Sequence, residues 1–313
     1  MPVTRVGYLL PTREQIMAGR PEARPLLELA ERAERLGLDS IWVGDSLLAR
    51  PRHEPLALLA AVAARVSRCE LGTAVLLPAL RNPVLLAHQV ATLDQICEGR
   101  LILGVGIARD VPSIRAEFTA AGVPFEKRVG RMLEGLRLCR ELWSGKPVEW
   151  NGRWTVSNSV LAPVPHRPGG PPFWIAGSLP ASLERAAQHF DGWLPNAGDA
   201  AQWREQWASL KTMAKAAGRD PDGLTGAMYL TVAVDETAGE AESRLNAYLE
   251  QYYGIPAATA RARQACYAGS AEGATEWLQG YAAAGVQHMV VRCVGDHERH
   301  LELLAAIRSK LAA

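Results

Sequence analysis

Residues 71–106 read LGTAVLLPALRNPVLLAHQVATLDQICEGRLILGVG and hold the pattern that decides the fold. Two runs of β-branched and aliphatic residues, CELGTAVLL from Cys69 and RLILGVG from Arg100, predict buried strands. Between them, PVLLAHQVATLDQIC has a helical pattern and begins with proline, which suits the first turn of a helix. This alternation is typical of βα units around a parallel sheet.

The same alternation extends over the whole chain. In RPLLELAERAERLG, for example, the apolar residues fall on one helix face and Gly37 supplies the stop. Eight strands, each followed by a helix, close naturally into a barrel, whereas a doubly wound sheet usually stops at about five or six. We therefore predict one α/β domain over residues 1–313, a (β/α)8 TIM barrel. The eight predicted strands are RVGYLL near Arg5, DSIWVGD from Asp39, CELGTAVLL, RLILGVG, PFWIAG from Pro172, DGWLPN from Asp191, AMYLTVAV from Ala227 and QHMVVRC from Gln287.

Two stretches interrupt the regular alternation. Residues 145–170, GKPVEWNGRWTVSNSVLAPVPHRPGG, are rich in Pro, Gly and Asn and contain two Trp. We interpret them as an insertion after the fourth βα unit and expect it to fold over the barrel mouth, the end formed by the carboxyl ends of the strands. Residues 237–285 are predicted to be a long helical excursion before the last strand.

Composition limits the partners and the compartment. Hydrophobic residues make up 48% of the chain and charged residues 21%, as in a globular protein with a large core. The net charge of +1 provides no field to gather nucleic acid or an anionic membrane, so neither partner is expected. The five cysteines are scattered without a C-x-x-C motif, and the apolar run 55–66 is too short to span a bilayer. We expect a cytoplasmic protein.

In a barrel of this kind, residues just after each strand form the active site. Asp45 and Ser46 follow the second strand, residues 73–81 the third and residues 107–110 the fourth. After the fifth, the segment GSLPASLERAA offers Gly177 for close backbone approach and the hydroxyl of Ser178 at the start of a helix. Such a helix start favours an anion, although an ordinary capped turn is the alternative interpretation.

Other chemistries lack their motifs. The GVG run of residues 104–106 has Arg109 where a dinucleotide fingerprint needs its third glycine. No H-E-x-x-H or Cys/His cluster predicts a metal site, and the two histidines of HERH at 297–300 are expected on an exposed last helix. A G-x-S-x-G elbow with suitable partners is also missing, which argues against a serine hydrolase.

Four blocks of the sequence carry a family resemblance. Residues 71–106, IWVGDS, AGVPFEKRVGRMLEGLRLCRELW and PPFWIAGSLPASLERAAQHFDGWLP resemble the bacterial luciferase-like flavin and deazaflavin (F420) oxidoreductases. The blocks occur in family order and cover residues 37–197 almost continuously, while the last hundred residues match only in pattern. The resemblance implies an oxidoreductase or monooxygenase barrel that holds reduced FMN or reduced F420 at its mouth and acts on a small organic substrate.

The resemblance also implies roles for particular residues. A non-prolyl cis peptide behind the cofactor ring maps to Ala74 and Val75. The cofactor phosphate maps to Gly177 and Ser178, with Arg109 or another arginine at the mouth as a second contact. Further cofactor contacts are expected at Gly106, Ile107 and Ala108. The candidate catalytic residues are Asp45, Ser46 and Arg109, although Asp45 also suits a helix cap or strand end.

The chain departs from one branch of this family at two positions. In F420-dependent sugar-phosphate dehydrogenases of the family, a His follows the Asp after the second strand and a Glu lies just past GVG. Here those positions hold Ser46 and Arg109, so alcohol oxidation lacks the expected proton acceptor. Oxygenation with reduced flavin and reduction of an activated double bond with F420 stay open, as does a noncatalytic flavin- or ligand-binding barrel. A separate flavin or F420 reductase and a homodimer are further expectations.

Overall fold

The structure is a computed structural model that describes residues 4–312. Its strands are β1 (Arg5–Leu9), β2 (Ser40–Val43), β3 (Glu70–Leu76), β4 (Leu101–Val105), β5 (Val148–Asn151), β6 (Thr155–Ser159), β7 (Phe173–Ile175), β8 (Gly192–Trp193), β9 (Thr225–Val234), β10 (Cys266–Gly269) and β11 (His288–Val294). Its helices are α1 (Thr12–Met17), α2 (Arg24–Arg35), α3 (Pro55–Ala63), α4 (Pro83–Ile96), α5 (Pro112–Ala120), α6 (Arg128–Leu142), α7 (Pro180–His189), α8 (Ala200–Ala216), α9 (Ala238–Tyr253), α10 (Ala257–Arg261), α11 (Ala271–Ala284) and α12 (His297–Ala312). None of these helices is long and apolar enough to cross a bilayer.

Eight parallel strands form a closed barrel. Their order is β11, β1, β2, β3, β4, β7, β8 and β9, and the pairing of β9 with β11 closes the ring. Helices pack around it in the described part of the chain, for example α4 against α6 and α2 against α12. The predicted (β/α)8 barrel is confirmed, and each of the eight predicted strands is a barrel strand.

Three strands lie outside the predicted set. Strand β10 pairs in parallel with the end of β9, where Cys266 lies opposite Thr231. It belongs to residues 237–285, which therefore contain a strand as well as helices. Strands β5 and β6 form an antiparallel hairpin within residues 145–170.

The insertion at 145–170 packs beside the barrel. Near the hairpin tip, the backbone N–H of Arg153 donates to Glu134 of α6 at 2.6 Å. Farther along, Arg167 donates from its backbone N–H to Asp94 at 2.9 Å and from its guanidinium to the Gly99 carbonyl at 2.6 Å. Gly99 precedes β4, at the end of the barrel opposite the mouth. These contacts hold the segment along the outer flank of α4 and α6 rather than across the mouth, where it was expected.

Two tryptophans fill the lower part of the barrel lumen. Trp42 and Trp174 lie 5.6 Å apart between ring centroids, and His288 packs edge-on against both. A Cβ atom on Gly72 would lie 2.2 Å from Trp42, so only glycine leaves room for the indole there. The lumen is therefore closed below, and a ligand has access only from the mouth.

Helix α9 lies across part of the mouth. Side chains alternate along a strand, so Ala233 of β9 and Val294 of β11 point into the lumen like Ala227 and Val290 below them. Both pack against Leu245 and Leu249 of α9, which are fully buried. Helix α9 thus covers the ends of β9 and β11 and leaves the side near β3, β4 and β7 open.

Candidate active site

Partly exposed residues at the ends of otherwise buried strands outline a cavity at the mouth. Ala74 and Val75 of β3 are half-buried although Gly72 and Thr73 before them are buried. The same change from buried to half-buried occurs after β4 at Ile107 and after β7 at Ala176. Ala74, Val75 and Tyr229 of β9 pack against the buried lumen side chains, which form the floor.

The end of β3 has the irregular backbone that the resemblance implies. The Ala74–Val75 peptide is cis, and the pairing of β3 with β4 shifts between Thr73 and Leu76. A Cβ atom on Gly106 would lie 2.7 Å from Val75 Cγ2, so glycine is needed beside this bulge. The implied cis peptide is confirmed, and Gly106 serves the bulge by packing closely against it.

Asp45 is buried in a hydrogen-bonded network at the mouth. Its carboxylate accepts from Arg81 at 2.6 Å and from the backbone N–H of Leu77 at 2.9 Å, and its side chain is 4% exposed. Arg81 also donates to Glu54 at 3.1 Å. Because Leu77 directly follows β3, Asp45 fixes the chain beyond the bulge. These partners favour a positioning role over the predicted catalytic one.

Ser46 likewise supports a loop. Its hydroxyl donates to Glu117 of α5 at 2.8 Å and accepts from the backbone N–H of Arg50 at 2.9 Å. The same Glu117 oxygen accepts from the N–H groups of Leu48 and Ala49 at 2.8 and 2.6 Å. Ser46 and Glu117 together therefore order residues 46–50, a loop that brings Arg50 to the mouth.

Gly177 and Ser178 form a cradle suited to a phosphate. Gly177 has φ +113°, and its carbonyl accepts from Trp193 Nε1 at 2.8 Å. Among residues 4–312, no side chain caps the start of α7 and no partner satisfies the buried Oγ of Ser178. Pro180 has no N–H and the N–H of Ser182 donates to the Leu179 carbonyl at 2.7 Å, so the N–H of Ala181 and the unsatisfied Ser178 hydroxyl are the donors left for a phosphate oxygen.

Arg109 lies at the mouth in a position stabilised by backbone contacts. Its guanidinium donates to the Arg263 carbonyl at 3.2 Å, which joins the β4 loop to the segment before β10. Asp110 pairs with Arg115, at 2.6 Å, and leaves Arg109 free of that carboxylate. Ala108 adopts φ +63°, a left-handed conformation that turns the chain between Ile107 and Arg109.

A buried arginine among tyrosines is the main feature that the sequence analysis missed. Arg292 points into the lumen from β11, is 2% exposed, and donates to Thr231 at 2.9 Å and to Tyr253 at 3.0 Å. It also donates to Gln264. Within residues 4–312 it forms no ion pair with a carboxylate. The ring centroids of Tyr229, Tyr248, Tyr252 and Tyr253 lie 5.0–5.7 Å from its guanidinium carbon.

Two features of the sequence point to this cluster of Arg292 and tyrosines. The strand HMVVRCV places one arginine between the apolar residues MVV and CV, and Arg292 is two residues from Val290, so it points to the same face as that lumen residue. The segment YLEQYY at the end of α9 contains three tyrosines. Neither pattern alone shows that the two segments meet.

Further arginines give the mouth a positive charge. Arg13 lies over the Tyr252 ring at 4.7 Å, and Arg52 donates to the hydroxyl of Tyr252 at 3.0 Å. Burial, followed by the nearby Arg52 and Arg50, lowers the pKa of Arg13. Glu14 is a carboxylate at this end of the barrel, and it accepts a hydrogen bond from Tyr248.

The histidines do not form a site at the mouth. Burial lowers the pKa of His288 to about 3 and that of His297 to about 4. His300 is 1% exposed and accepts from the N–H of Val234 at 3.0 Å. The prediction that the two histidines of HERH are exposed is therefore wrong. The reason is that the start of α12 packs against the ends of β1 and β9. No group of three or more potential metal ligands occurs in the described residues.

The fold and the sequence both match known oxidoreductases. The luciferase-like monooxygenase family matches residues 4–313. The F420-dependent glucose-6-phosphate dehydrogenase of Amycolatopsis mediterranei is 30% identical over 307 residues, or 89% of this chain and 91% of that one. The Mycolicibacterium gilvum enzyme with the same activity is 33% identical over 223 residues, or 68% of this chain and 65% of that one.

Two solved structures show how widely the fold is shared. An F420-dependent secondary alcohol dehydrogenase in complex with an F420–acetone adduct superimposes with a TM-score of 0.82 at 21% identity, covering 97% of this chain and 98% of that one. The oxygenating constituent of 3,6-diketocamphane monooxygenase from Pseudomonas putida, in complex with FMN, has a TM-score of 0.77 at 18% identity and covers 100% and 98%. With a closed (β/α)8 barrel, a bulged third strand and a match along nearly its whole length, the chain belongs to the luciferase-like monooxygenase family of oxidoreductases.

Proposed function

We propose that this protein is an oxidoreductase that binds F420 at the barrel mouth and exchanges a hydride with a small anionic organic substrate. The observation that carries the proposal is the phosphate cradle at Gly177 and Ser178, beside a cavity closed below by the two tryptophans. The relatives at 30–33% identity are F420-dependent dehydrogenases, which supports F420 over FMN.

The residues present suit the cofactor. Ser178 Oγ and the first turn of α7 would hold the phosphate, while Ala74 and Val75 would lie against the ring and Ile107 and Ala108 would line its edge. When bound, the deazaflavin ring supplies two-electron hydride chemistry. The protein excludes water from below, and residues 46–50 and Arg109 limit access at the rim.

The substrate class follows from the charge around the mouth. Arg13, Arg50, Arg52 and Arg109 lie at the rim, and Arg292 lies beneath them without a carboxylate partner in the described chain. Buried or crowded guanidinium groups bind carboxylate and phosphate groups strongly because their N–H donors match those oxygens in pairs. An anionic substrate is therefore favoured over a neutral one.

An anaerobic titration with F420 and with FMN, each oxidised and reduced, tests the proposal. F420 is expected to bind more tightly, and Ser178→Ala is expected to weaken it about tenfold, the effect of one hydrogen bond to a charged group. Ser157→Ala, at an exposed serine of the hairpin, is the control and should bind normally. Failure of both cofactors to bind would refute the proposal and leave a barrel for another ligand.

A second function is favoured by Ser46 and Arg109, which stand where an imidazole and a carboxylate are expected for alcohol oxidation. A monooxygenase that receives reduced FMN from a separate reductase needs neither group. Tighter binding of reduced FMN than of F420 in the same titration would favour this function, and substrate screening should then include oxygen. The homodimer expected from the family is tested by sedimentation of the same preparation.

A further inference from the structure

Tyr253 stands between a buried arginine and the open mouth. Its hydroxyl accepts from Arg292 Nη1 at 3.0 Å, and the guanidinium carbon of Arg50 lies 5.0 Å from its ring centroid. Arg292 is buried whereas Tyr253 is half-buried, so the phenol lies at the boundary between them. It is the last residue of α9, the helix that crosses the mouth.

Charged neighbours act on this phenol from several elements. Burial opposes its ionisation, but Arg292, Arg50 and Arg109 outweigh burial and lower the pKa of Tyr253. These arginines lie on β11, on the loop after β2 and on the loop after β4. Other titratable groups around it are Tyr229 on β9, Tyr248 and Tyr252 on α9, and Glu14 on α1, which Tyr248 contacts.

The other three tyrosines of the cluster are less suited to exchange a proton. Burial raises the pKa of Tyr229 and of Tyr248. Tyr248 donates its proton to Glu14, and Tyr252, whose hydroxyl also accepts from an arginine, Arg52, is buried at 6% exposure. Tyr253 combines partial exposure at the mouth with a donor that stabilises its phenolate.

Building on the function proposed above, we propose that Tyr253 is the catalytic acid and base of the reaction, in place of the imidazole and carboxylate missing at positions 46 and 109. In alcohol oxidation, the substrate O–H proton passes to the phenolate oxygen of Tyr253. Bound oxidised F420 would accept the hydrogen of the adjacent C–H bond together with its electron pair, as a hydride, so that the alcohol carbon becomes a carbonyl. In the reverse direction the phenol returns the proton to the carbonyl oxygen.

The first test uses the protein without cofactor and follows phenolate absorbance near 295 nm against pH. The wild-type protein is expected to show one phenol that ionises before the others. Tyr253→Phe should remove that step, whereas Tyr267→Phe should keep it, because Tyr267 is half-buried on β10 and its hydroxyl contacts Ser270. Arg50→Gln should move the step to higher pH, since it removes one of the charges that favour the phenolate.

The second test measures turnover with F420 and the substrate found by screening. Tyr253→Phe should lower kcat about 100-fold, with little change in F420 affinity, and abolish the limb of the pH profile that matches the absorbance step. An early step that persists in Tyr253→Phe, or an unchanged kcat, would overturn the inference while F420 binding left the proposed function intact. Failure to bind F420 would refute both the proposed function and the role of Tyr253 that rests on it.

Discussion

At the residue scale, Asp45 shows how a carboxylate at a barrel mouth can act through the backbone. It is 4% exposed and compensates Arg81, which is itself 20% exposed, while it holds the N–H of Leu77. Asp45→Asn removes the charge and leaves Arg81, in a poorly solvated place, with only the exposed Glu54 as a carboxylate partner. We expect a loss of about 2–3 kcal/mol in the free energy of unfolding, measured by urea denaturation.

Asp110→Asn is the matched control for this variant. Asp110 also pairs with an arginine, Arg115, but both side chains are about half exposed, at 56% and 46%. Exposed pairs contribute little, so no measurable change in stability is expected. Should Asp45→Asn keep wild-type stability and lose turnover with bound cofactor, the catalytic role first predicted for Asp45 would be favoured.

At this scale, the sequence predicts a residue's role when the residues that it contacts are close to it in sequence. The Ala74–Val75 bulge and the Gly177–Ser178 turn were located because each depends on a few consecutive residues. Asp45 and Ser46 gain their roles from residues 36 and 71 positions away, and such pairings leave no local pattern. Arg292 contacts Tyr253 only because α9 crosses the barrel mouth, and the hydrophobic periodicity of α9 does not predict that course.

At the scale of elements, a capping box fixes the start of α9, the helix that carries three of the tyrosines at its other end. The Thr237 hydroxyl caps the helix by accepting from the N–H of Glu240 at 3.2 Å, and the Glu240 carboxylate accepts from the N–H of Thr237 at 3.1 Å. Thr237→Ala should cost about 1 kcal/mol and speed hydrogen exchange in the first turn of α9. Mass spectrometry of the exchanged protein measures this directly.

Thr212→Ala provides the control for the cap. Thr212 lies inside α8, where its hydroxyl only donates back to the Ala208 carbonyl at 3.0 Å, and alanine is the better helix former. Its exchange pattern and stability should stay close to wild type. Equal exchange of α9 in the Thr237→Ala and wild-type proteins would show that packing of Leu245 and Leu249, rather than the cap, fixes the helix.

The elements that were predicted and those that were missed differ in burial. The barrel strands have apolar runs because both of their faces are covered, by the lumen and by helices, and this signal survives even for β8, which is two residues long. Strand β10, CYAG, pairs on one side with β9 and is mostly half-buried. The hairpin strands are largely exposed, so their sequence lacks the pattern of a buried strand.

At the scale of the whole molecule, a buried polar chain at the bottom of the lumen ties β2 to β11, the strands on either side of β1. Trp42 donates to Ser40 Oγ at 2.7 Å, and Ser40 lies 2.6 Å from His288 Nε2. Burial keeps the imidazole of His288 neutral, and a neutral ring can accept the Ser40 proton at Nε2. The floor of the cofactor cavity thus depends on an uncharged His288.

This arrangement predicts a loss of stability in mild acid. Burial, with a smaller effect from Arg5, lowers the pKa of His288 to about 3, whereas an unfolded chain titrates near 6.5. Above pH 6.5 the imidazole is mostly neutral in the folded and in the unfolded protein, so its protonation does not change the free energy of unfolding. As the pH falls below 6.5, only the unfolded chain takes up the proton, so stability falls progressively, by about 2 kcal/mol from this residue at pH 5.

The variant His288→Asn separates this effect from general acid unfolding. Asparagine keeps a polar partner for Ser40 but has no proton to gain, so its stability curve from pH 7 to 5 should be flatter than that of the wild type, although its stability at pH 7 is lower. His88→Asn, at an exposed position of α4, should follow the wild-type slope. Parallel curves for His288→Asn and wild type would mean that the imidazole is not held neutral, and that another group, such as His297, sets the acid limit of the fold.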